Sequence, residues 1–271
     1  MDKSRRLTPL ANPKAPYRRV PRMTLSTGVR RAALALLCLA GPLPLAQAAQ
    51  APTVAVAVYR GPAGCDDCSE TVRTAIERLD PRYRVDFVGP AERIDITPAN
   101  LRRYSLYVQP GGGQDIPAAL ASLGDARSAA LRDYVAQGGR YLGLCMGAYL
   151  ADAGNLRLIP DDLDSEVGRP GFPVTTIDDA AVAVRWAGRD DNVFYQDGPY
   201  LPPSQAPGVR VLATYANGDI AAARYPFGRG VVALSGPHPE ADASWFEQAD
   251  IPPAGRPRTS LFKSLVDETL R

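Results

Sequence analysis

Apolar positions along this chain keep switching between two rhythms. Thr53 to Tyr59 (TVAVAVY) is an unbroken β-branched and apolar run, the pattern of a strand buried on both faces, and it stops at Gly61-Pro62-Ala63-Gly64. From Ser69, the expected cap, to about Leu79, the residues Val72, Ile76 and Leu79 return at helical spacing. Tyr83 to Val88 reads as a second strand, Thr97 caps a short helix with Pro98 in its first position, and Ser105 to Gln109 is a third strand. That strand runs into Pro110-Gly111-Gly112-Gly113. A helix from about Asp125 to Gln137 follows, with Ala130, Leu131, Tyr134 and Val135 on one face and Gly138 as its stop. Tyr141, Leu142 and Leu144 then lead into Cys145. Strands alternating with helices predict a mostly parallel sheet with helices on both faces.

After Ala153 the helical rhythm weakens. Residues 154–208 carry many Pro, Gly and Asp, with short strand-like pieces such as Ala180 to Trp186. Val209 to Tyr215 and Ile220 to Arg224 flank Asn217-Gly218, a strong hairpin signal. Phe227-Gly228-Arg229-Gly230 turns the chain into the strand Val231 to Leu234, which delivers Ser235-Gly236-Pro237-His238-Pro239-Glu240. Thr259 is the expected cap of a final helix with Leu261, Phe262, Leu265 and Val266 as its apolar stripe.

The N-terminal segment has a different character. Arg30 and Arg31 precede AALALLCLAGPLPLAQA, an apolar stretch short for a bilayer and broken by Gly41, Pro42 and Pro44. Ala46-Gln47-Ala48 supplies a small-x-small cleavage pattern. Residues 1–48 are therefore expected to be a secretory signal peptide, with a periplasmic or secreted destination and Met1 or Met23 as its start; a membrane anchor is the alternative. Those 48 residues hold nine of the 31 Lys and Arg and one of the 29 Asp and Glu. The remainder, 49–271, carries a net charge of −6 and is long enough for one well-cored domain. Nothing in it argues for nucleic acid.

Three cysteines remain beyond the signal. Cys65 and Cys68 are close enough to pair in an oxidising compartment, and a structural disulfide is the preferred reading. A thioredoxin-like redox role is the alternative, opposed by the two acidic residues between the thiols; zinc would need further ligands, so no metal is expected.

Cys145 stands between Gly143 and Gly147, after a strand and before a helix-tolerant run. A nucleophile elbow needs small flanking residues at those positions, and a helix N-terminus favours thiolate over thiol. A small buried core cysteine is the alternative. His238 is the only histidine of the chain, so a general base of near-neutral pKa has one candidate. Glu240, two positions on in a segment held straight by Pro239, would face the same side and orient the imidazole. Oxyanion donors would be the N–H of Met146 together with Gly112 or Gly113.

PGGG after a strand, GLCMGAYLA, and GPHPE near the C-terminus, in that order, resemble the class I glutamine amidotransferase-like superfamily. YRGPAG after the first strand, YQDGPY at 195–200 and LSGPHPE at 234–240 resemble, within it, the domain at the N-terminus of eukaryotic biotin–protein ligases, which also stands alone in bacteria. The resemblance covers essentially all of 49–271. It implies a flavodoxin-like three-layer α/β/α sandwich and a Cys145, His238, Glu240 triad, and it does not imply biotin ligation, because no ligase domain accompanies it. By the same analogy Tyr149, Tyr195, Asp197 and Tyr200 are candidate substrate contacts. True glutamine amidotransferases carry glutamine four residues after the nucleophile, where this chain has Tyr149. Glutamine as substrate and a synthetase partner are therefore not expected, and amide hydrolysis by a cysteine nucleophile, needing only water and no cofactor, is the leading reading. A small-ligand-binding module on the same fold is the other.

Overall fold

A computed structural model describes residues 52–271 apart from Asp66 and Gln205. The proposed signal segment lies outside the described residues. Eleven strands and six helices follow one another as β1 (Val54–Tyr59), α1 (Cys68–Leu79), β2 (Tyr83–Val88), α2 (Pro98–Leu101), β3 (Leu106–Gln109), α3 (Ile116–Ala136), β4 (Arg140–Leu144) and α4 (Met146–Tyr149). Next come β5 (Asp164–Ser165), β6 (Ala180–Trp186), β7 (Arg189–Tyr195), β8 (Pro199–Tyr200), β9 (Arg210–Tyr215), β10 (Ile220–Phe227), β11 (Gly230–Ser235), α5 (Ala243–Gln248) and α6 (Leu261–Leu270).

One nine-stranded sheet runs in the order β2-β1-β3-β4-β11-β10-β9-β6-β7. Its first five strands pair parallel, and the last four extend it by antiparallel pairing. The parallel half has the doubly wound order in which ligands bind outside the carboxyl ends of the strands. Successive residues of β1 point to opposite faces: Ala57 and Tyr59 pack toward α2 and α3, Val56 and Val58 toward α1 and α6. All four are fully buried, which accounts for the unbroken apolar run. The α/β three-layer, flavodoxin-like architecture expected from the sequence is therefore present.

Two differences from the sequence reading have clear causes. Helix α3 begins at Ile116, nine residues before the expected start, because Asp115 caps it by accepting from the Ala118 N–H. Gly124 (φ 73°) kinks it, and that glycine hides the continuity from a periodicity reading. The antiparallel extension is larger than the hairpin expected at Asn217-Gly218. In β6 the buried Val182, Val184 and Trp186 alternate with exposed Ala183 and Arg185, so only one face is covered. Its partner β7 (RDDNVFY) begins with four polar residues and gives no such alternation. Among the described residues no helix is long and apolar enough to cross a membrane.

Candidate active site

The carboxyl ends of β3, β4 and β11 deliver Gly111, Cys145 and, three residues past the strand, His238 to one edge of the sheet. Cys145 adopts φ 50° and ψ −110°, a strained backbone for a residue with a side chain. The surroundings hold it there. Its N–H donates to the Ser235 carbonyl at 2.8 Å, and its carbonyl accepts from the Ala148 N–H at 2.8 Å. A Cβ on Gly143 would meet the Gly147 carbonyl at 2.4 Å, and one on Gly147 would meet the Gln109 carbonyl at 2.3 Å. The turn can therefore close only with glycine at both positions. Tyr141, fully buried, donates its hydroxyl to the Gly147 carbonyl at 2.7 Å and braces the far side of the turn.

His238 is held just as firmly. Its N–H donates to the Phe194 carbonyl at 2.8 Å, and the Ser235 hydroxyl donates to the Pro237 carbonyl at 2.8 Å to fix the approach. A Cβ on Gly111 would lie 2.6 Å from His238 Cε1, so the first glycine of the PGGG stretch is what admits the imidazole. Trp245 and Phe194 flank the ring, with centroids 5.1 and 6.1 Å away. His238 Nδ1 and Glu240 Oε1 are 2.9 Å apart, and the two side chains are 5% and 0% exposed. The bond leaves Nε2 as the nitrogen available to other partners. Burial works to lower the basicity of His238, but the Cys145 sulfur and the Glu240 carboxylate outweigh it and raise its pKa to about 10. Glu240 Oε2 is buried and has no hydrogen-bond partner among the described residues, so the imidazolium is the charge that balances this carboxylate.

Beside Cys145 lies a cavity of about 190 Å³, lined among others by Gly113, Met146, Tyr149, Asp164, Gln196 and Asp197. Among the described residues no acceptor takes the N–H groups of Gly112, Gly113 or Met146. Gly112 is the less open of the two glycines, because a Cβ there would strike Met146 Cε at 2.4 Å, whereas nothing lies within 4 Å of the same point on Gly113. The Cys145 thiol donates to the Gln196 carbonyl at 3.4 Å.

The four expected substrate contacts divide into two pairs. Tyr149 and Asp197 line the cavity; the Tyr149 hydroxyl donates to the Asp197 carbonyl at 3.2 Å, and Asp197 accepts from Ser165 at 2.6 Å. Tyr195 and Tyr200 are not brought to it. Tyr195 is fully buried against Phe172 and Tyr215 and donates to the Gly198 carbonyl, because the odd position on β7 points into the core. Tyr200 lies under the Arg169 guanidinium, 3.6 Å from the ring centroid. Cys65 and Cys68 are bridged, with Cα atoms 5.2 Å apart, at the carboxyl end of β1 and near the same edge. Sequence reasoning missed Gly111, Ser235, Gln196 and Trp245, whose roles depend on contacts across strands that no local pattern encodes.

Comparison with known proteins bears on the fold that carries this site. Residues 54–168 match the family described as "Biotin-protein ligase, N terminal". That match covers less than half of the chain, and the fold around it is glutamine amidotransferase-like. PurLQS from Thermotoga maritima is similar at 15% identity over 80% of this chain and 99% of its own, with a TM-score of 0.56. A solved glutamine amidotransferase aligns at 18% identity over 72% of this chain and 98% of its own, with a TM-score of 0.48. No curated protein matches the sequence. The matched module ends at Gly168, so it holds Cys145 but not His238 or Glu240, which come from the segment beyond it.

Proposed function

We propose that this chain is a cysteine-dependent hydrolase of an amide, acting outside the cytoplasm. The observation that carries the reading is the convergence of a strained, free Cys145 with a buried His238–Glu240 pair at adjacent strand ends. In the reaction, the Cys145 sulfur attacks the amide carbon and forms a C–S bond. The N–H groups of Met146 and Gly113 receive the oxyanion, His238 gives its proton to the departing nitrogen, and Glu240 keeps the imidazole oriented. Water, deprotonated by His238, then cleaves the thioester and frees the acid. Tyr149 stands where glutamine-using relatives resemble a different pattern, which supports an amide other than glutamine.

One observation favours a second reading. The thiol donates to the Gln196 carbonyl, a resting geometry that suits a ligand-binding pocket with a slow or silent cysteine. Incubation with an activated acyl ester separates the two. The hydrolase predicts an acyl group on Cys145 by intact mass, decaying with turnover and absent in Cys145→Ser. An unacylated protein would leave the binding module standing.

A further inference from the structure

A second cavity, of about 170 Å³, opens on the other side of the reacting pair. His238 forms part of its wall, together with Trp245, Phe194, Asp179, Asp67 and the Cys65–Cys68 bridge. Gln196 lines both cavities and so marks the boundary between them. The division of labour between Cys145 and His238 gives these spaces different roles. The oxyanion donors Gly113 and Met146 sit with Cys145 in the first cavity, which therefore takes the acyl part of a substrate. A general acid must lie within hydrogen-bond reach of the atom it protonates, so the leaving nitrogen belongs on the His238 side.

The charges of both walls point one way. Asp67 and Asp179 face the second cavity, Asp164 and Asp197 the first, and among the described lining residues there is no Lys or Arg. His238 is the sole basic group of the cleft, it is 4% exposed, and Glu240 already neutralises it. Trp245, half-buried with its indole beside the imidazole, adds an aromatic surface of the kind on which a cationic group rests. An anionic substrate would meet only like charge and no guanidinium to hold it. Resting on the hydrolase reading, we infer that the substrate is an amide whose amine portion carries a cationic group, seated between Trp245 and Asp179 with the acyl portion in the cavity beside Cys145.

The test uses three iodoacetamides that differ only in the group on the amide nitrogen: trimethylammonioethyl, its neutral isostere neohexyl, and sulfonatoethyl. Alkylation of Cys145 is followed residue by residue by mass spectrometry. The cationic reagent is expected to react roughly tenfold faster than the anionic one at low ionic strength, with the neutral one between them and the ratio shrinking in salt. Asp179→Asn, at an exposed position, should cut that ratio about threefold. Equal rates for all three reagents, with alkylation by the neutral one still dependent on His238, would overturn the cationic substrate and leave the hydrolase intact. Slow alkylation by the neutral reagent that is indifferent to His238→Gln would instead remove the hydrolase, and this inference with it.

Discussion

The parallel half of the sheet, β2-β1-β3-β4-β11, and its antiparallel extension, β10-β9-β6-β7, are built on different tolerances. In the parallel half the inner strands β1, β3, β4 and β11 are covered by helices on both faces, the backbones approach so closely that glycine is obligatory at the Cys145 turn, and the strand ends carry the chemistry. In the extension β6 covers one face and leaves Ala183 and Arg185 to solvent, and the site is met by the Phe194 carbonyl and ring, which hold and flank His238, and by the Gln196 carbonyl, which receives the thiol. One half thus supplies reacting groups and the other positions them. A site at this seam inherits rigidity from the first and shape from the second.

That contrast can be broken most violently at glycine. Gly147→Val in the parallel half puts side-chain carbon against the Gln109 carbonyl and is expected to cost more than about 3 kcal/mol or to abolish folding. Gly218→Ala at the hairpin of the extension meets nothing within 4 Å and suffers only from its φ of 97°, so about 1 kcal/mol is expected. Denaturant midpoints read both. Similar losses at the two positions would erase the distinction.

A smaller effect concerns the charge pair at the seam. The pKa of His238 is raised to about 10, so its contribution to stability is complete below the unfolded value near 6.5 and is lost as pH rises toward 10. Wild type should therefore lose on the order of 1–3 kcal/mol between pH 7 and 10 that His238→Gln does not lose. Parallel stability curves for the two proteins would contradict the pairing.

Smallest of all is Glu166, in the loop that leans on the extension. Burial raises its pKa to about 7, against the hydrogen bond from Asn217, so the folded state holds a proton that the unfolded chain releases near 4.5. Stability is thereby lost between about pH 4.5 and 7, and Glu166→Gln should recover on the order of 1 kcal/mol above pH 7 while changing little at pH 4. A uniform loss at both pH values would show that the carboxylate is needed as a charge, by Arg169 and Asn217 alike.

The same contrast explains what could be read from sequence. Strands buried on both faces announce themselves, so β1, β3, β4 and β11 were expected within a residue or so of their bounds, and so was the edge strand β2, whose Arg84 and Asp86 are exposed. The Gly-x-Cys-x-Gly spacing is a local necessity of the turn, and His238 with Glu240 were readable because one histidine and an i+2 carboxylate are local features. Strand β7 was not readable, since its polar first half is stabilised by pairing with β6 and by contacts to the segment before α6, where Asp191 accepts from Arg258 and Thr259. Tyr195 and Tyr200 were expected in the pocket by analogy through the YQDGPY stretch, but strand alternation and the Arg169 stack send them elsewhere. Gly111 was passed over for its neighbours because its partner, His238, lies more than a hundred residues away.

The central claim is that Cys145 and His238 act as one unit, and the most direct measurement is iodoacetamide labelling of Cys145 as a function of pH in wild type and His238→Gln. The account predicts fast labelling in wild type and a fall of about 10- to 100-fold at pH 7 in the variant. Superimposable profiles for the two proteins would contradict it, and would leave Cys145 as a buried thiol beside a histidine with which it shares only a wall.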